Sequence, residues 1–374
     1  MSPIRIGLIG LSSTPGAWTN MAHIPYLRTS PSYTIVALCN SSIAAGESAI
    51  KTHSLPPSTK TYDSAEKLAE DPDVDMVLCS VNVVDHFKLI KPALERGKIA
   101  FVEWPLGRDL AEVESMVEMG KKGGAQTIVG LQGRQSLFVG KIRELVQTGR
   151  VGKVLSSGVM AEVGSVGKQV PLKYRYFVDK EVGGNMASIF FGHFSDIFTD
   201  VLGEFKDFNA LLSTQHPLVD VVAGPPGGPQ KTVETDVKKD TPDNIMVHGT
   251  LVSGAVASIS MRGGRSFKDT PAIVWKIEGE KGQIIITAPA IALSFGHAGA
   301  EIKVYDLASD SVEVVELPED DKADLPFMAR NPARALEAFA RGEKVPDFED
   351  ALVRHRLLDA LYRSSETGEK VTYL

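Results

Sequence analysis

Several short runs carry residue types that grip a nucleotide. The first is the turn Gly7-Leu8-Ile9-Gly10-Leu11-Ser12-Ser13-Thr14-Pro15-Gly16, which closes an apolar run. A dinucleotide fold needs glycines at such a turn: one for the bend, one so the backbone can approach a pyrophosphate, one for helix packing. Gly10 stands where the first is needed, Ser12 replaces the second, and the third is displaced to Gly16. Taken alone, the turn fits an ordinary glycine-bearing loop as well as a degraded fingerprint. Ser12, Ser13, Thr14 and the following Trp18 join Gly10 as candidate cofactor contacts. The second run is Asn40-Ser41-Ser42, where an NAD enzyme places Asp or Glu on the ribose 2′-hydroxyl. With no carboxylate to repel a 2′-phosphate and three small donors present, the reading tilts toward NADP, or toward indifference between NADP and NAD. Three later runs each close a predicted strand, where open α/β sheets bind ligands. They are Ser80-Val81-Asn82 with His86 shortly after, Glu103-Trp104-Pro105, and Gly130-Leu131-Gln132-Gly133-Arg134.

These runs need a scaffold, and the first third of the chain supplies one by alternation. Apolar runs at 4–10, 34–39, 75–80, 100–103 and 127–131 read as strands; helical patterns at 44–52, 64–69, 84–96 and 110–121 separate them. Such βαβ alternation predicts an α/β Rossmann domain with a doubly wound parallel sheet. The pattern then changes. Strand-like runs at 154–163, 205–212, 245–261, 273–287 and 301–317 follow one another, broken by a helix at 188–201, with helical patterns returning at 332–340 and 349–363. Strands in succession predict an α+β domain with a large, mainly antiparallel sheet. The expected division is 1–133 for dinucleotide binding and 134–374 for substrate and oligomerisation. The segment 214–243, with its Gly224-Pro225-Pro226-Gly227-Gly228-Pro229 centre, is too rich in breakers for an element and reads as a surface loop.

Composition excludes other classes. The 374 residues hold 40 Lys and Arg against 47 Asp and Glu, a net charge of −7, so there is no global footprint for nucleic acid or an anionic membrane. Cys39 and Cys79 are the only two cysteines. They offer no disulfide framework and suit a reducing compartment, each as a small buried hydrophobe on a strand. Histidines lack metal-ligand spacing, so no metal is expected. No secretion signal or spanning segment is read, and the expected location is cytoplasmic.

The order and spacing of Gly10, His23-Ile24-Pro25, Ser80-Val81-Asn82, Glu103-Trp104-Pro105, Gly130-Leu131-Gln132-Gly133-Arg134, Gly149-Arg150-Val151-Gly152, Gly183-Gly184 and His193 resemble the glucose–fructose oxidoreductase, inositol dehydrogenase and rhizopine-catabolism (Gfo/Idh/MocA) family. The resemblance covers essentially the whole chain. It implies a dinucleotide cleft in the first domain, covered by the sheet of the second, and hydride transfer between a nicotinamide and a sugar, polyol or related alcohol. It also implies a homodimer or higher homo-oligomer formed through the open sheet face.

Two departures from the family pattern bear on the chemistry. The family's Glu-Lys-Pro lysine, a proton carrier beside the nicotinamide, is Trp104 here, and the family's helical Asp is Ile189, four residues before the retained His193. An indole N–H only donates, and an isoleucine cannot orient an imidazole. His193 could carry the proton alone, since imidazole titrates near neutral pH; a structural helix histidine is the alternative. Lys173 and Tyr174, in Pro171-Leu172-Lys173-Tyr174-Arg175-Tyr176, are candidate substitutes or substrate contacts, against a reading as sheet-edge residues. The Glu-Trp-Pro variant, with Trp18 and Phe191-Gly192-His193, is similar to the fungal branch holding the galactose-regulon repressor. The expected function is thus an NAD(P)-dependent oxidoreductase on a small carbonyl or alcohol with an altered proton relay. The alternative is a dinucleotide-binding regulator whose output is a protein contact.

Overall fold

The first apolar run forms strand β1 (Ile4–Ile9), buried from Ile6 onward, and becomes an inner strand of the first sheet. The computed structural model describes residues 2–225, 228–291, 293 and 299–374. The chain divides into two units, Met1–Gln135 with Asp320–Leu352, and Ser136–Glu319 with Val353–Leu374.

In the first unit the chain runs α1 (Trp18–Ala22), α2 (Ile24–Leu27), β2 (Tyr33–Cys39), α3 (Ile43–Thr52), β3 (Lys60–Tyr62), α4 (Ala65–Glu70), β4 (Met76–Cys79), α5 (His86–Glu95), β5 (Ile99–Val102), α6 (Leu110–Gly123) and β6 (Thr127–Val129). All pairs are parallel, in the order β3-β2-β1-β4-β5-β6, as expected of a doubly wound sheet. Helix starts follow the sequence: the side chains of Ser42, Ser64 and Asp109 accept from backbone N–H groups of the first turns of α3, α4 and α6. Strand β3 escapes a sequence reading because its three residues, Lys60, Thr61 and Tyr62, make no apolar run. Cys39 and Cys79 end β2 and β4 as buried, unpaired thiols.

A division at 133/134 does not anticipate the return of residues 320–352 to this unit. Ala329, Ala333, Leu336 and Ala338, most of them on α9 (Arg330–Ala340), join a core with Ile6, Leu8, Tyr33 and Leu38. The Tyr33 hydroxyl donates to the Leu336 carbonyl at 2.6 Å, and Val129 N–H to that of Pro346 at 2.9 Å. Small residues on one face of α9 let it lie close to the sheet layer, which a local pattern cannot reveal.

The second unit begins with α7 (Leu137–Gln147), β7 (Val154–Val163) and β8 (Gln169–Pro171). A π-helical stretch, Met186–Phe191, runs into α8 (Gly192–Leu202), so the single helix expected at 188–201 has two geometries. Then come β9 (Phe205–Ser213), β10 (Leu218–Ala223), β11 (Lys231–Lys238), β12 (Asn244–Leu251), β13 (Val256–Gly263), β14 (Ile273–Gly279), β15 (Gly282–Ala288), β16 (Glu301–Asp306) and β17 (Ser311–Val314), with α10 (Phe348–Thr367) completing the chain's helices. Eight strands form one sheet, β17-β16-β15-β14-β7-β13-β12-β9, antiparallel except for the parallel β7–β13 pair. Its alternating residues bury one face. There Trp275 meets Phe194 and Phe198 of α8 at 5.7 and 5.6 Å and donates to Ser157 at 2.9 Å.

The surface loop expected at 214–243 is instead a hairpin. β10 and β11 pair antiparallel, β10 also pairs with β8, and Val219, Val221 and Val222 are buried. The breakers occupy only its turn, of which Pro226 and Gly227 lie outside the described residues. In the same unit Arg354, 1% exposed, pairs with Glu204 and lies 4.0 Å from Asp196. Among the described residues no helix is long and apolar enough to cross a membrane.

Candidate functional site

The sheet of the first unit brings the sequence-predicted residues to one edge. The residue after each of five strand ends extends the ladder by one bond. Asn40 N–H reaches Tyr62, Gly10 reaches Cys39, Ser80 reaches Ile9, Glu103 reaches Cys79 and Gly130 reaches Val102, at 2.9–3.2 Å. Asn40, Gly10, Ser80, Glu103 and Gly130 therefore stand side by side on the C-terminal rim. The order reverses between β1 and β4, the place where open α/β sheets hold their ligands.

At that crevice the glycine is required. Gly10 has φ +94°, and a Cβ on it would lie 2.4 Å from the Ser80 carbonyl oxygen and 2.5 Å from Val81 Cγ1. Thr19 ties the two strand ends, donating to Ser80 Oγ at 2.8 Å. The loop beyond is held by its carbonyls. Asn40 Nδ2 donates to Leu11 O at 2.8 Å, Asn20 Nδ2 to Ser12 O and Thr14 O at 2.9 and 3.0 Å, and His53 Nε2 to Ser12 O at 2.9 Å. With carbonyl oxygens tied back, the amide edge of Ser12 and Ser13 remains for an anion's oxygens. This is a cradle that fits a dinucleotide's phosphates. The helix that follows, α1, has only five residues, so a phosphate at this turn would rest on the backbone of the loop and not on the helix. Thr19, Asn20 and His53 have no motif that marks them in sequence; the folded loop reveals their part.

The other predicted residues divide between exposure and internal duty. Ser41 is exposed, Ser42 caps α3, and Asn82 accepts from Val84 N–H at 3.3 Å. Ser13 Oγ meets Ser48 Oγ at 2.9 Å. Thr14 is exposed and its N–H donates to Ser12 Oγ. Trp18 and Val81 are half-buried, Gln132 is buried, and Trp104 is 6% exposed. Arg134 donates to Asp350 at 2.9 Å. Burial works against the Asp350 charge, yet this partner helps hold its carboxyl below the ordinary range.

Beneath the rim lie two buried histidines. His23 Nε2 pairs with the Glu103 carboxylate, and its ring meets Phe101 edge-on at 5.2 Å. The other Glu103 oxygen leaves no room for a side chain at Gly130, where a Cβ would lie 2.4 Å away. Glu103 thus braces the rim from below. His86 Nδ1 lies 2.9 Å from Pro105 O and Nε2 3.2 Å from Val81 O, joining the loops after β4 and β5. Burial lowers its pKa, and a neutral ring donates to one of these carbonyls.

In the second unit, His193 is half-buried near the start of α8, one turn after Ile189 in the π-helical stretch. Asn185 caps that stretch, accepting from Ala187 and Ser188 N–H while Ser188 Oγ accepts from Asn185 N–H. Tyr174 packs on Val170, Val178 and Val219, and Lys173 Nζ sits 4.8 Å over its ring, so this pair has a structural task at the edge of the small sheet. Among the described residues no group of three His, Cys, Asp or Glu is placed to hold a metal ion.

Comparison with known proteins matches both units. Residues 4–131 match a family described as oxidoreductase family, NAD-binding Rossmann fold, and residues 138–288 match the C-terminal domain of Gal80p. Dehydrogenase aclE of Aspergillus oryzae is 31% identical over 99% of this chain and 98% of its own. The chain belongs to the Gfo/Idh/MocA oxidoreductase family. The galactose/lactose metabolism regulatory protein GAL80 of Saccharomyces cerevisiae is 27% identical over 98% of this chain and 94% of its own. A crystal structure of a super-repressor mutant of the Saccharomyces cerevisiae Gal80p superposes with a TM-score of 0.88 at 25% identity, covering 99% of this chain and 98% of that one. The family's oxidoreductases and its Gal80 regulators are thus both near relatives.

Proposed function

We propose that this protein is an NAD(P)-dependent oxidoreductase acting on a small carbonyl or alcohol, with a proton relay reduced to His193. The observation that carries this reading is the intact C-terminal rim, where Gly10 and Ser80 meet at the switch point with no space for a Cβ between them. Its whole-length likeness to a dehydrogenase supports the same reading. A bound nicotinamide would supply or accept the hydride. The amides of Ser12 and Ser13 would hold the phosphates, and Trp104 would give an apolar wall where the family's Glu-Lys-Pro pattern carries a lysine. His193 would give its proton to the carbonyl oxygen in reduction and take it back in oxidation.

At the ribose, Asn40 Nδ2 and Ser42 Oγ are already engaged by the chain, which leaves Ser41 as the exposed hydroxyl. The tilt toward NADP is therefore weak, and both dinucleotides are expected to bind. We further propose a homodimer through the open face of the eight-stranded sheet, where Leu211, Met246 and Met160 are exposed on strands β9, β12 and β7. Two unpaired, buried cysteines suit a reducing, cytoplasmic setting.

The test is calorimetric titration with NAD, NADH and NADPH, followed by absorbance at 340 nm with a carbonyl and alcohol panel. Turnover that falls in His193→Ala while cofactor affinity holds supports the relay; unchanged turnover removes His193 from it. A second reading, a dinucleotide-binding regulator, is favoured by the replacement of the Lys and Asp positions by Trp104 and Ile189 and by the likeness to GAL80. Cofactor binding with no turnover of any panel compound would select it.

A further inference from the structure

The turn after β1 carries Ser12 where a dinucleotide fingerprint carries its second glycine. In a planar trans peptide the C=O of one residue and the N–H of the next point in opposite directions. Whatever holds the Leu11 and Ser12 carbonyls therefore aims the Ser12 and Ser13 N–H groups the other way. Both carbonyls are held from outside the turn. Asn40 Nδ2 donates to Leu11 O at 2.8 Å, while His53 Nε2 and Asn20 Nδ2 converge on Ser12 O, each at 2.9 Å. A carbonyl only accepts, so the His53 Nε2 facing it carries the proton. Ser48 Oγ meets Ser13 Oγ at 2.9 Å, so the stretch 40–53, which contains α3, touches three consecutive residues of the turn. Asn20 Oδ1 and Asn40 Oδ1 are buried without a hydrogen-bond partner, so both asparagines are held there for what they donate. Neither the Ser12 nor the Ser13 N–H has an acceptor among the described residues.

We propose that Asn40 and His53 are positioning residues for the pyrophosphate of the dinucleotide, doing by side-chain hydrogen bonds what the missing glycine does by backbone freedom. Asn40 thereby takes a different part from the one its place in the chain suggests. After β2 an NAD enzyme sets an acid that accepts from the ribose 2′-hydroxyl. Here the amide of Asn40 is committed to Leu11 O, and its one acceptor oxygen is buried away from any ribose. The Ser12 and Ser13 amides are then presented to the phosphate oxygens by a clamp that is remote in sequence and lies wholly within the first unit. The inference rests on the dinucleotide-binding part of the reading above.

The experiment is calorimetric titration of the full chain and its variants with NAD, the melting temperature of each being read before NAD is added. Asn40→Asp separates the two roles, because it supplies the carboxylate an NAD enzyme uses on a skeleton of the same size. A ribose role makes NAD bind more tightly. The positioning role makes it bind about tenfold more weakly, because a carboxylate oxygen facing Leu11 O cannot donate to it. His53→Leu should weaken NAD to a similar degree, and His53→Gln, whose amide can donate, should restore most of the affinity. The His53 pair, half-buried at the end of α3, decides the matter should Asn40→Asp fail to fold. NAD binding by folded Asn40→Asp at or above the parent's affinity overturns the part given to Asn40. His53→Leu binding as the parent does, or His53→Gln binding no better than His53→Leu, overturns the part given to His53. In each of these cases the parent's own binding leaves the oxidoreductase reading standing. A parent that binds no NAD overturns that reading together with this inference.

Discussion

Replacing Gly10 by alanine tests whether the rim is the cofactor site. Two costs add at this position. The backbone sits at φ +94°, a conformation that costs an L residue about 1–2 kcal/mol. The new Cβ would also lie 2.4 Å from the Ser80 carbonyl oxygen and 2.5 Å from Val81 Cγ1. A backbone oxygen cannot rotate aside, so the strand ends must part, at about 1–3 kcal/mol for such overpacking. Together these make roughly 2–5 kcal/mol, or about 4–20 °C in the melting of a unit of this size. Gly16→Ala is the internal control. It has φ +81° but nothing within 4 Å of the added Cβ, so only the conformational cost applies. Scanning calorimetry resolves the transitions of the two units, and titration with NAD reports the loop. Gly10→Ala should melt well below Gly16→Ala and bind NAD about tenfold more weakly or worse. If the two variants melt together and Gly10→Ala binds NAD as the parent does, the reasoning is refuted.

Three further outcomes are expected from the charges and caps. Burial pushes His355 down to about 3 and also lowers His86, whereas an unfolded imidazole titrates near 6.5. Above that pH both rings are neutral in either state. Below it the unfolded chain takes up protons that the folded chain refuses, so stability falls by up to about 1.4 kcal/mol per pH unit per ring. Urea titrations between pH 7 and about 5 should show this fall, and His355→Gln should flatten it; an unchanged slope removes His355 from the account. Arg354→Met leaves Asp196 and Glu204 without their buried cation and should destabilise the second unit by about 3–5 kcal/mol, with partial recovery on adding Glu204→Gln; additive losses would argue against coupling. Ser42→Ala removes the cap of α3 and should cost about 1 kcal/mol of thermal stability, since Ser42 Oγ accepts from Ala45 N–H; no loss would show that the cap carries no weight.

How far the site could be read in advance depended on which residues signal locally. Gly10 did, because a turn that closes an apolar strand and opens a helix needs a positive φ, which glycine alone adopts freely. Ser80, Glu103 and Gly130 did as well, through their place after predicted strands. Asn20 and His53 did not. Their part is to hold carbonyls of a loop that is distant in sequence for His53 and irregular for Asn20, and neither residue type announces that task. His86 was visible as a nearby polar residue, but its role as a buried join between two loops depends on Pro105 and Val81 meeting it on opposite sides. Lys173 and Tyr174, attractive by residue type, fold into a small valine cluster and a cation–ring stack of their own.

What the sequence determined was the succession of strands, helices and turns, because hydrophobic period, caps and glycines act over a few residues at a time. It determined the parallel sheet and its strand-end residues on that basis. Tertiary structure decided which distant pieces complete each layer: residues 320–352 returning to the first sheet, β8 and β10 pairing across the chain, and the π-helical step before His193. These arise from burying leftover apolar surface and satisfying backbone groups across long separations, and such demands exist only once the layers have formed.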